Sequence, residues 1–233
     1  MPTSAEHPGG AGAGSQGAAP WVPRAVLFDF AGVLTEPLTQ VFLETAAQAG
    51  VAAEQLASVL LPMFMSGADS DLPAHRWERG EIGLDEFLAG LDPATADVAR
   101  LLDPASPDYV IGRFRAHPGM VSFAGEVRAA GFRTAVVSNV VREWGPRWDE
   151  ILGATAGFDE VIYSYEVGVR KPSRAIFDVV LGRLGVDAGE ALYLEDSASM
   201  VAAAAGFGIR AIHVDDHDRA IAEARRICFP QPG

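Results

Sequence analysis

The chain of 233 residues is long enough for one domain of ordinary size with a large insertion, or for two small domains. Its formal net charge is −13 and its 18 Lys and Arg residues form no cluster, which argues against nucleic acid and anionic membranes as partners. No apolar run reaches the roughly 18 residues that a membrane span needs. We therefore expect a soluble, cytoplasmic globular protein, and the sequence leaves open whether it is a monomer or a homodimer.

Both ends of the chain carry limited information. Residues 1–23 are rich in Gly, Ala, Ser and Pro and lack the basic start and apolar centre of a signal peptide, so we predict a disordered tail. Trp21 and Pro23 are expected to be the first residues that touch the domain. The single cysteine, Cys228, excludes an internal disulfide and a cysteine-based metal cluster, and we expect it to be a buried apolar residue.

A short apolar run, Ala25–Phe28, has the pattern of a parallel strand that is buried on both faces. It ends on Asp29, and Gly32 follows closely. Open α/β sheets place their ligands at the carboxyl ends of such strands. Taken alone, Asp29 has an equally good explanation as a residue that caps the next turn.

Residues 37–117 are predicted to form a helical bundle inserted after this strand, a helical cap. The predicted helices cover Val41–Ala49, Ala53–Met65, a segment ending at Arg79, a segment starting near Leu84, and Pro107–Ala116. The large apolar residues of this region are interpreted as its core and not as a cofactor site: Phe42, Met63, Phe64, Met65, Trp77 and Phe87.

From Met120 onward helices and strands alternate, which is typical of a parallel sheet with right-handed crossovers. The predicted strands are Arg133–Ser138, Glu160–Ser164, Ala191–Leu194 and Ile209–Val214. The predicted fold is α/β: a doubly wound, five-stranded, Rossmann-like core made of residues 24–36 and 118–233.

Polar side chains follow several of these strands at the edge where parallel strands end together. They are Asp29, Ser138, Asn139, Glu195 and Asp196, with Lys171 between the third strand and a helix. Carboxylate oxygens suit a hard cation such as Mg²⁺, and a hydroxyl with an ammonium suits the oxygens of a phosphoryl group. Each residue has a structural explanation by itself, but their recurrence at successive strand ends predicts phosphoryl transfer with Asp29 as the nucleophile.

Four segments in chain order resemble the haloacid dehalogenase-like hydrolase superfamily, in the branch with a helical cap between its first two motifs. They are FDFAGVLT, VVSN, RKPS and YLEDS. The resemblance implies that Asp29 forms an aspartyl-phosphate that water hydrolyses. It also implies Mg²⁺ as cofactor, bound by Asp29, Asp196 and the backbone carbonyl of Ala31, with Glu195 acting through a water.

The resemblance assigns the remaining motif residues to a small phosphorylated substrate. Ser138 and Lys171 would hold the phosphoryl oxygens, and backbone N–H groups around Phe30 to Gly32 would help. The predicted phosphate-binding set is Phe30, Gly32, Ser138, Asn139 and Lys171, and the predicted catalytic set is Asp29, Ser138 and Lys171. For substrate contacts in the cap, the candidates are Glu44, His75, Arg76, Trp77 and Arg79.

One departure from the family pattern concerns Ala31, where phosphatases of this family usually carry an Asp as general acid and base. Such a group is worth about 10²–10⁴-fold in rate. A phosphonoacetaldehyde hydrolase also carries Ala there but needs a lysine in its cap, and Lys171 is the only lysine of the chain. A haloacid dehalogenase lacks the acidic pair that is present here as Glu195 and Asp196.

We therefore predict an Mg²⁺-dependent phosphatase that acts on a small phosphorylated metabolite. The alternative is a catalytically weak or inactive member of the fold that binds a ligand or a protein, and a haloacid dehalogenase ranks third.

Overall fold

A computed structural model describes residues 21–64, 68–155 and 157–231, without the side chains of 62–64 and 154–155. Five strands form one parallel sheet in the order β3-β2-β1-β4-β5. Their bounds are β1 Ala25–Phe28, β2 Arg133–Ser138, β3 Glu160–Tyr163, β4 Ala191–Glu195 and β5 Arg210–His213. Because the chain runs outward in both directions from β1, the carboxyl end of β1 lies at the topological switch point of the sheet.

The predicted fold class is confirmed, and the strand predictions differ from the structure only at their ends. The third strand ends at Tyr163, one residue before its predicted end, because a short helix begins at Ser164. The Ser164 hydroxyl accepts a hydrogen bond from the Val140 N–H and donates to Glu78 O. β4 continues by one residue to Glu195, and the last strand is shorter than predicted at both ends.

Eleven helices are present in the described part of the chain, together with single turns of 3₁₀ helix. Their bounds are α1 Leu38–Ala49, α2 Ala53–Phe64, α3 Pro73–Glu78, α4 Leu84–Ala89, α5 Ala96–Leu102, α6 Pro118–Ala129, α7 Gly145–Thr155, α8 Ser164–Val167, α9 Arg174–Leu184, α10 Ala198–Gly206 and α11 His217–Cys228. None of these helices is long and apolar enough to cross a membrane.

The sheet is covered on both faces because residues of β1 alternate between two apolar clusters. Leu27 packs with α9 and α10 in one cluster, and Phe28 packs with α6 and α11 in the other. Cys228 is buried at the end of α11, as predicted. At the start of the described chain, Trp21 donates a hydrogen bond to Gly189 O at 3.0 Å and so contacts the domain. The rest of the predicted tail, residues 1–20, lies outside the described residues.

The helices α1–α5, here called the inserted helices, lie between β1 and β2 as the sequence predicts. The predicted helix Pro107–Ala116 is wrong: it is reduced to one 3₁₀ turn, Ile111–Arg113. The N–H of Val110 donates to Leu101 O and not to the carbonyl four residues before it, and the N–H groups of Arg113 and Phe114 donate to carbonyls three residues back, which is the 3₁₀ pattern. The last inserted helix is instead α5.

The inserted helices share an apolar core with the rest of the protein. Phe42 and Trp77 lie 6.1 and 5.7 Å from the Trp144 ring, between ring centroids. The carboxylate of Glu143 accepts hydrogen bonds from Trp77 Nε1 and from the Leu84 N–H, both at 2.9 Å. Phe42, Trp77 and Phe87 are buried as predicted, whereas the side chains of residues 63–65 lie outside the described part. This packing fixes α3 beside the carboxyl edge of the sheet.

Candidate active site

Asp29 stands at the end of β1, where its N–H donates to Leu194 O at 2.9 Å and so continues the pairing with β4. The chain then turns sharply through residues 30–34. Gly32 has φ 86°, and a Cβ built there would lie 2.2 Å from Asp196 Oδ2. Glycine is needed at this position for both its backbone conformation and its size. The turn therefore brings the ends of β1 and β4 into direct contact.

Lys171 is the centre of the polar cluster at this edge. Its ammonium donates to Asp29 Oδ1 at 2.6 Å and to Glu195 Oε2 at 2.8 Å, and it lies 2.9 Å from the hydroxyl of Tyr193. The Tyr193 hydroxyl in turn donates to Glu195. An ammonium has three protons, so these three partners use all of its donors. The cluster joins side chains from β1 and β4 through one buried cation.

Asn139 holds the backbone of Lys171. Its amide oxygen accepts from the Lys171 N–H at 2.8 Å, and its amide nitrogen donates to Lys171 O at 3.0 Å. Ser138, at the end of β2, is buried beside this contact. The end of β2 therefore positions the lysine although its side chains do not bond the ammonium.

Three carboxylates meet in this cluster. Asp29, Glu195 and Asp196 each offer an oxygen, and these oxygens lie within 4.8 Å of one another. Burial raises the pKa of Asp29 to about 7, Glu195 adds to this effect, and Lys171 opposes it. Burial also raises the pKa of Asp196 to about 8, with the charges of Asp29 and Glu195 adding to it.

Glu195 differs from these two carboxylates. Burial opposes its ionisation, but Lys171, Tyr193 and the Ser197 N–H together hold its pKa below the ordinary value. One ammonium thus faces three carboxylates, and in two of these, Asp29 and Asp196, the charged form is disfavoured. The cluster has a deficit of positive charge that a cation would offset.

A cavity of about 500 Å³ opens over this cluster. The predicted site residues along it are Asp29, Ala31, Ser138, Asn139, Lys171, Glu195 and Asp196. Phe30 does not line it, because its ring stacks on Trp148 with the centroids 4.6 Å apart. The N–H of Phe30 donates to the Asp29 carboxylate, and the N–H of Gly32 donates to Glu36 O at 3.1 Å.

The sequence interpretation missed a buried ion pair that lines the same cavity. Arg170 Nε donates to Glu78 Oε2 at 2.6 Å, and both side chains are at least 97% buried. Burial raises the pKa of Glu78 to about 7, and Arg170 opposes this effect. Two signals were available: Arg170 directly precedes Lys171, and Glu78 stands between two residues that were named as candidates. The hydroxyl of Tyr193 was missed as well.

The candidates for substrate contact in the inserted helices do not line this cavity. Trp77 is part of the apolar core, and His75 is buried with Nδ1 2.9 Å from the Ser70 hydroxyl. The other three are engaged in polar contacts at the surface: Glu44 with Gln40, Arg76 with Glu81, and Arg79 with Asp69 and Glu81. Of the inserted helices, α1 and α3 reach the cavity, through Leu38, Thr39 and Glu78.

The similarity of this chain to known proteins is consistent with the geometry of the site. A family model described as haloacid dehalogenase-like hydrolase matches residues 23–208. A phosphoglycolate phosphatase of Rhodospirillum rubrum is 31% identical over 192 residues, which are 81% of this chain and 78% of that protein. The chain belongs to the haloacid dehalogenase-like hydrolase family, and it is therefore a hydrolase with phosphatase relatives.

Other relatives show how varied this family is. Acyl-CoA dehydrogenase family member 10 of Mus musculus is 30% identical over 215 residues, but these span 89% of this chain and only 19% of the mouse protein. (S)-2-haloacid dehalogenase 1 of a Pseudomonas species is 26% identical over 200 residues, with 82% of this chain and 84% of that enzyme covered.

Solved structures share the fold. A haloacid dehalogenase family enzyme of Bacteroides thetaiotaomicron, solved with magnesium and inorganic phosphate, superimposes with a TM-score of 0.56. The match covers 84% of this chain and 97% of that one, at 18% sequence identity.

Proposed function

We propose that the protein is an Mg²⁺-dependent phosphatase that hydrolyses a small phosphorylated metabolite through an aspartyl-phosphate on Asp29. One observation carries this proposal: a carboxylate nucleophile, a buried lysine and two further carboxylates converge at the carboxyl edge of the sheet. The phosphatase among the relatives and the magnesium and phosphate in the Bacteroides enzyme support it.

The donor set fits Mg²⁺. The ion prefers oxygen ligands and a small number of carboxylates, and the three clustered carboxylates have one ammonium between them. Asp29, Asp196 and the backbone carbonyl of Ala31 would hold the metal, and Glu195 would act through a water. When bound, the ion supplies positive charge next to the carboxylates and the phosphoryl oxygens.

The chain's own residues carry the chemistry. An Asp29 oxygen attacks phosphorus while the bond to the leaving oxygen breaks, and the leaving oxygen takes a proton from solvent. Water then attacks the phosphorus of the aspartyl-phosphate and gives a proton to solvent, and the bond between phosphorus and the Asp29 oxygen breaks, which releases phosphate. Ser138 and Lys171 bind phosphoryl oxygens. For this, Lys171 exchanges one of its three present partners for the substrate, while Asn139 keeps its backbone in place. A contribution from the Gly32 N–H requires release of its bond to Glu36 O.

The inserted helices complete the site. We propose that residues 37–117 act as the cap, and that residues 24–36 and 118–233 form the hydrolase core. Leu38, Thr39 and Glu78 are the cap residues that line the cavity. A cover at this edge excludes water from the phosphoryl group and supplies contacts to the rest of the substrate.

The alanine at position 31 leads us to expect slow turnover. It lies on the cavity wall, and its methyl group cannot protonate a leaving oxygen or activate water. Substrates with poor leaving groups should therefore react slowly. The same residue keeps a second candidate open, a ligand-binding member of the family with little or no turnover. A dehalogenase is less favoured because the anionic pair Glu195 and Asp196 repels a carboxylate substrate.

The test is phosphate release from a panel of phosphorylated metabolites, with Mg²⁺ and with EDTA. We expect turnover with Mg²⁺ only. The variant Ala31→Asp should raise kcat on alkyl phosphates by up to about 10²-fold and should change nitrophenyl phosphate less, because nitrophenol needs no proton to leave. A protein that gains no phosphoryl label on Asp29 and hydrolyses nothing would favour the binding protein.

A further inference from the structure

The Glu78–Arg170 ion pair lies on the wall of the cavity that opens over the carboxylate cluster. We propose that this pair restricts the site to phosphate esters whose remaining part is uncharged and hydroxylated. Glu78 forms an ion pair with Arg170, which would otherwise be able to bind a second anionic group of the substrate. The inference rests on the proposed phosphatase function and specifies its substrate class.

The charges along the cavity support this restriction. Among the described residues that line it, four carboxylates face two cations: Asp29, Glu78, Glu195 and Asp196 against Arg170 and Lys171. One divalent metal ion would balance this set, and the phosphoryl group then adds negative charge again. Lys171 is engaged by the nucleophile and Glu195, so Arg170 is the remaining cation.

Arg170 is itself held by a carboxylate of the protein. Its Nε lies 2.6 Å from Glu78 Oε2, and Asp69 Oδ1 lies 3.6 Å from its Nη1. A substrate carboxylate that displaced Glu78 would leave a buried carboxylate without its partner, which is strongly unfavourable. A substrate carboxylate that did not displace Glu78 would lie beside a like charge. Both routes disfavour a second anion.

The rest of the cavity wall suits a neutral, hydroxylated group. Thr39, Ser197 and Ser199 offer hydroxyls that donate or accept hydrogen bonds. Leu38, Ala198 and Met200 supply the apolar surface between them. A polyol or sugar phosphate has this combination of hydroxyl groups and C–H surface. A phosphorylated hydroxy acid such as phosphoglycolate does not.

A matched pair of substrates tests the proposal. Glycerol 3-phosphate and 3-phosphoglycerate differ by a hydroxymethyl group against a carboxylate, so the ratio of their kcat/KM values isolates the second charge. We expect the wild-type protein to favour glycerol 3-phosphate by about tenfold or more. A wild-type ratio near one, or a preference for 3-phosphoglycerate, would overturn the proposal.

The variant Glu78→Gln tests the role of the pair. The amide keeps the volume of the side chain and one acceptor for Arg170 but removes the negative charge. The ratio of the kcat/KM values for the two substrates should therefore shift toward 3-phosphoglycerate by about tenfold. The double variant Glu78→Gln with Arg170→Gln should lose that shift. If the pair only anchors α3, both substrates will slow together and the ratio will stay unchanged, which would contradict the proposal.

Failure of the proposed function has a different result. If the wild-type protein hydrolyses neither substrate nor nitrophenyl phosphate, the phosphatase proposal fails. Calorimetric titration of wild type and Glu78→Gln with the same two compounds then decides the specificity inference, with the same tenfold shift expected in the ratio of dissociation constants. Equal ratios in the two proteins would overturn it.

Discussion

Arg170 and Lys171 are neighbours in sequence and both are buried, yet the two cations have opposite surroundings. Lys171 contacts Asp29 and Glu195, which lie at the carboxyl ends of β1 and β4, and a third carboxylate lies close by. Arg170 contacts Glu78, which belongs to an inserted helix. The first group is thus formed within the sheet edge, whereas the second joins that edge to the insertion.

The difference lies in the balance of charge. Around Lys171 three carboxylates share one ammonium, and burial together with the neighbouring carboxylates raises the pKa values of Asp29 and Asp196 far above their ordinary values. Around Arg170 the Glu78 carboxylate lies at 2.6 Å and the Asp69 carboxylate at 3.6 Å, and burial raises the pKa of Glu78 to about 7 as well. The three carboxylates near Lys171 would be stabilised by an added cation, whereas Arg170 is already paired with Glu78 and attracts a further anion only weakly. Reactivity should therefore concentrate at Lys171 and selectivity at Arg170.

The largest expected effect comes from Asp29→Asn. The amide fills the volume of the carboxylate but cannot attack phosphorus, so turnover of a cognate substrate should fall at least about 10⁴-fold. Phosphate release measures the loss, and circular dichroism checks the fold. Turnover within tenfold of wild type would contradict a covalent mechanism at Asp29.

The next largest expected effect is on stability, from removal of the Glu78–Arg170 ion pair. Glu78→Leu leaves the Arg170 guanidinium buried beside an apolar group and should lower the free energy of unfolding by about 3–5 kcal/mol. Replacing both residues with Leu should recover most of that loss, because no buried charge remains. Urea unfolding compares the three proteins. A double variant as unstable as the single one would show that the pair stabilises the fold by more than charge balance.

The unbalanced cluster predicts a pH dependence in the metal-free protein. Asp29 has a raised pKa in the folded state, from 3.8 to about 7, so the folded protein binds more protons than the unfolded chain between these values. Its contribution to stability is therefore full below about pH 4 and is lost as pH rises to 7. The stability gained by Asp29→Asn should grow over this window, by an amount on the order of 3 kcal/mol.

Urea unfolding in EDTA at several pH values measures this difference. Saturating Mg²⁺ should reduce it, because the bound ion offsets the charge of the carboxylate. Parallel stability curves for wild type and Asp29→Asn would mean that Asp29 does not titrate in this range.

The smallest effect concerns Tyr193. Removing its hydroxyl in Tyr193→Phe takes one partner from Lys171 and one from Glu195 and leaves the aromatic packing in place. We expect kcat to fall about 10-fold, the lower end of the value of one hydrogen bond to a charged group. Tyr163→Phe is the matched control, because its hydroxyl bonds a carboxylate outside the cavity. An equal loss of kcat in both variants would argue against a positioning role for Tyr193.

Much of the sheet and its polar edge was predictable because the signals are local. Ala25–Phe28 is an unbroken apolar run and Arg133–Ser138 has the apolar centre Ala135–Val137, and the structure has strands with the same bounds as both predictions. The convergence of Asp29, Lys171 and Glu195 then follows from the rule that parallel strands end at one edge. The positions of these residues at or after predicted strands, together with their residue types, were enough to predict that the side chains meet.

The contacts of the insertion were not predictable in the same way. Glu78 and Arg170 are separated by 92 positions, and their pairing depends on how α3 packs against α8. Helical spacing gives the buried face of a helix but not its neighbour, so the proposed substrate contacts fell on other residues of the same segment. The wrong helix at Pro107–Ala116 has a similar cause, since the Val110 N–H donates to Leu101 O, outside the segment, and not to the carbonyl four residues before it.

The apolar core that runs from the sheet into the inserted helices has a consequence for folding cooperativity. Phe42 and Trp77 on one side and Trp144 on the other belong to one cluster, so the described residues of the insertion pack into the same core as the sheet. The two parts should unfold in one transition, and their amides should exchange with solvent at similar rates. Access to the cavity then depends on movements of a few side chains and turns at its rim, and not on the opening of a hinge between two bodies.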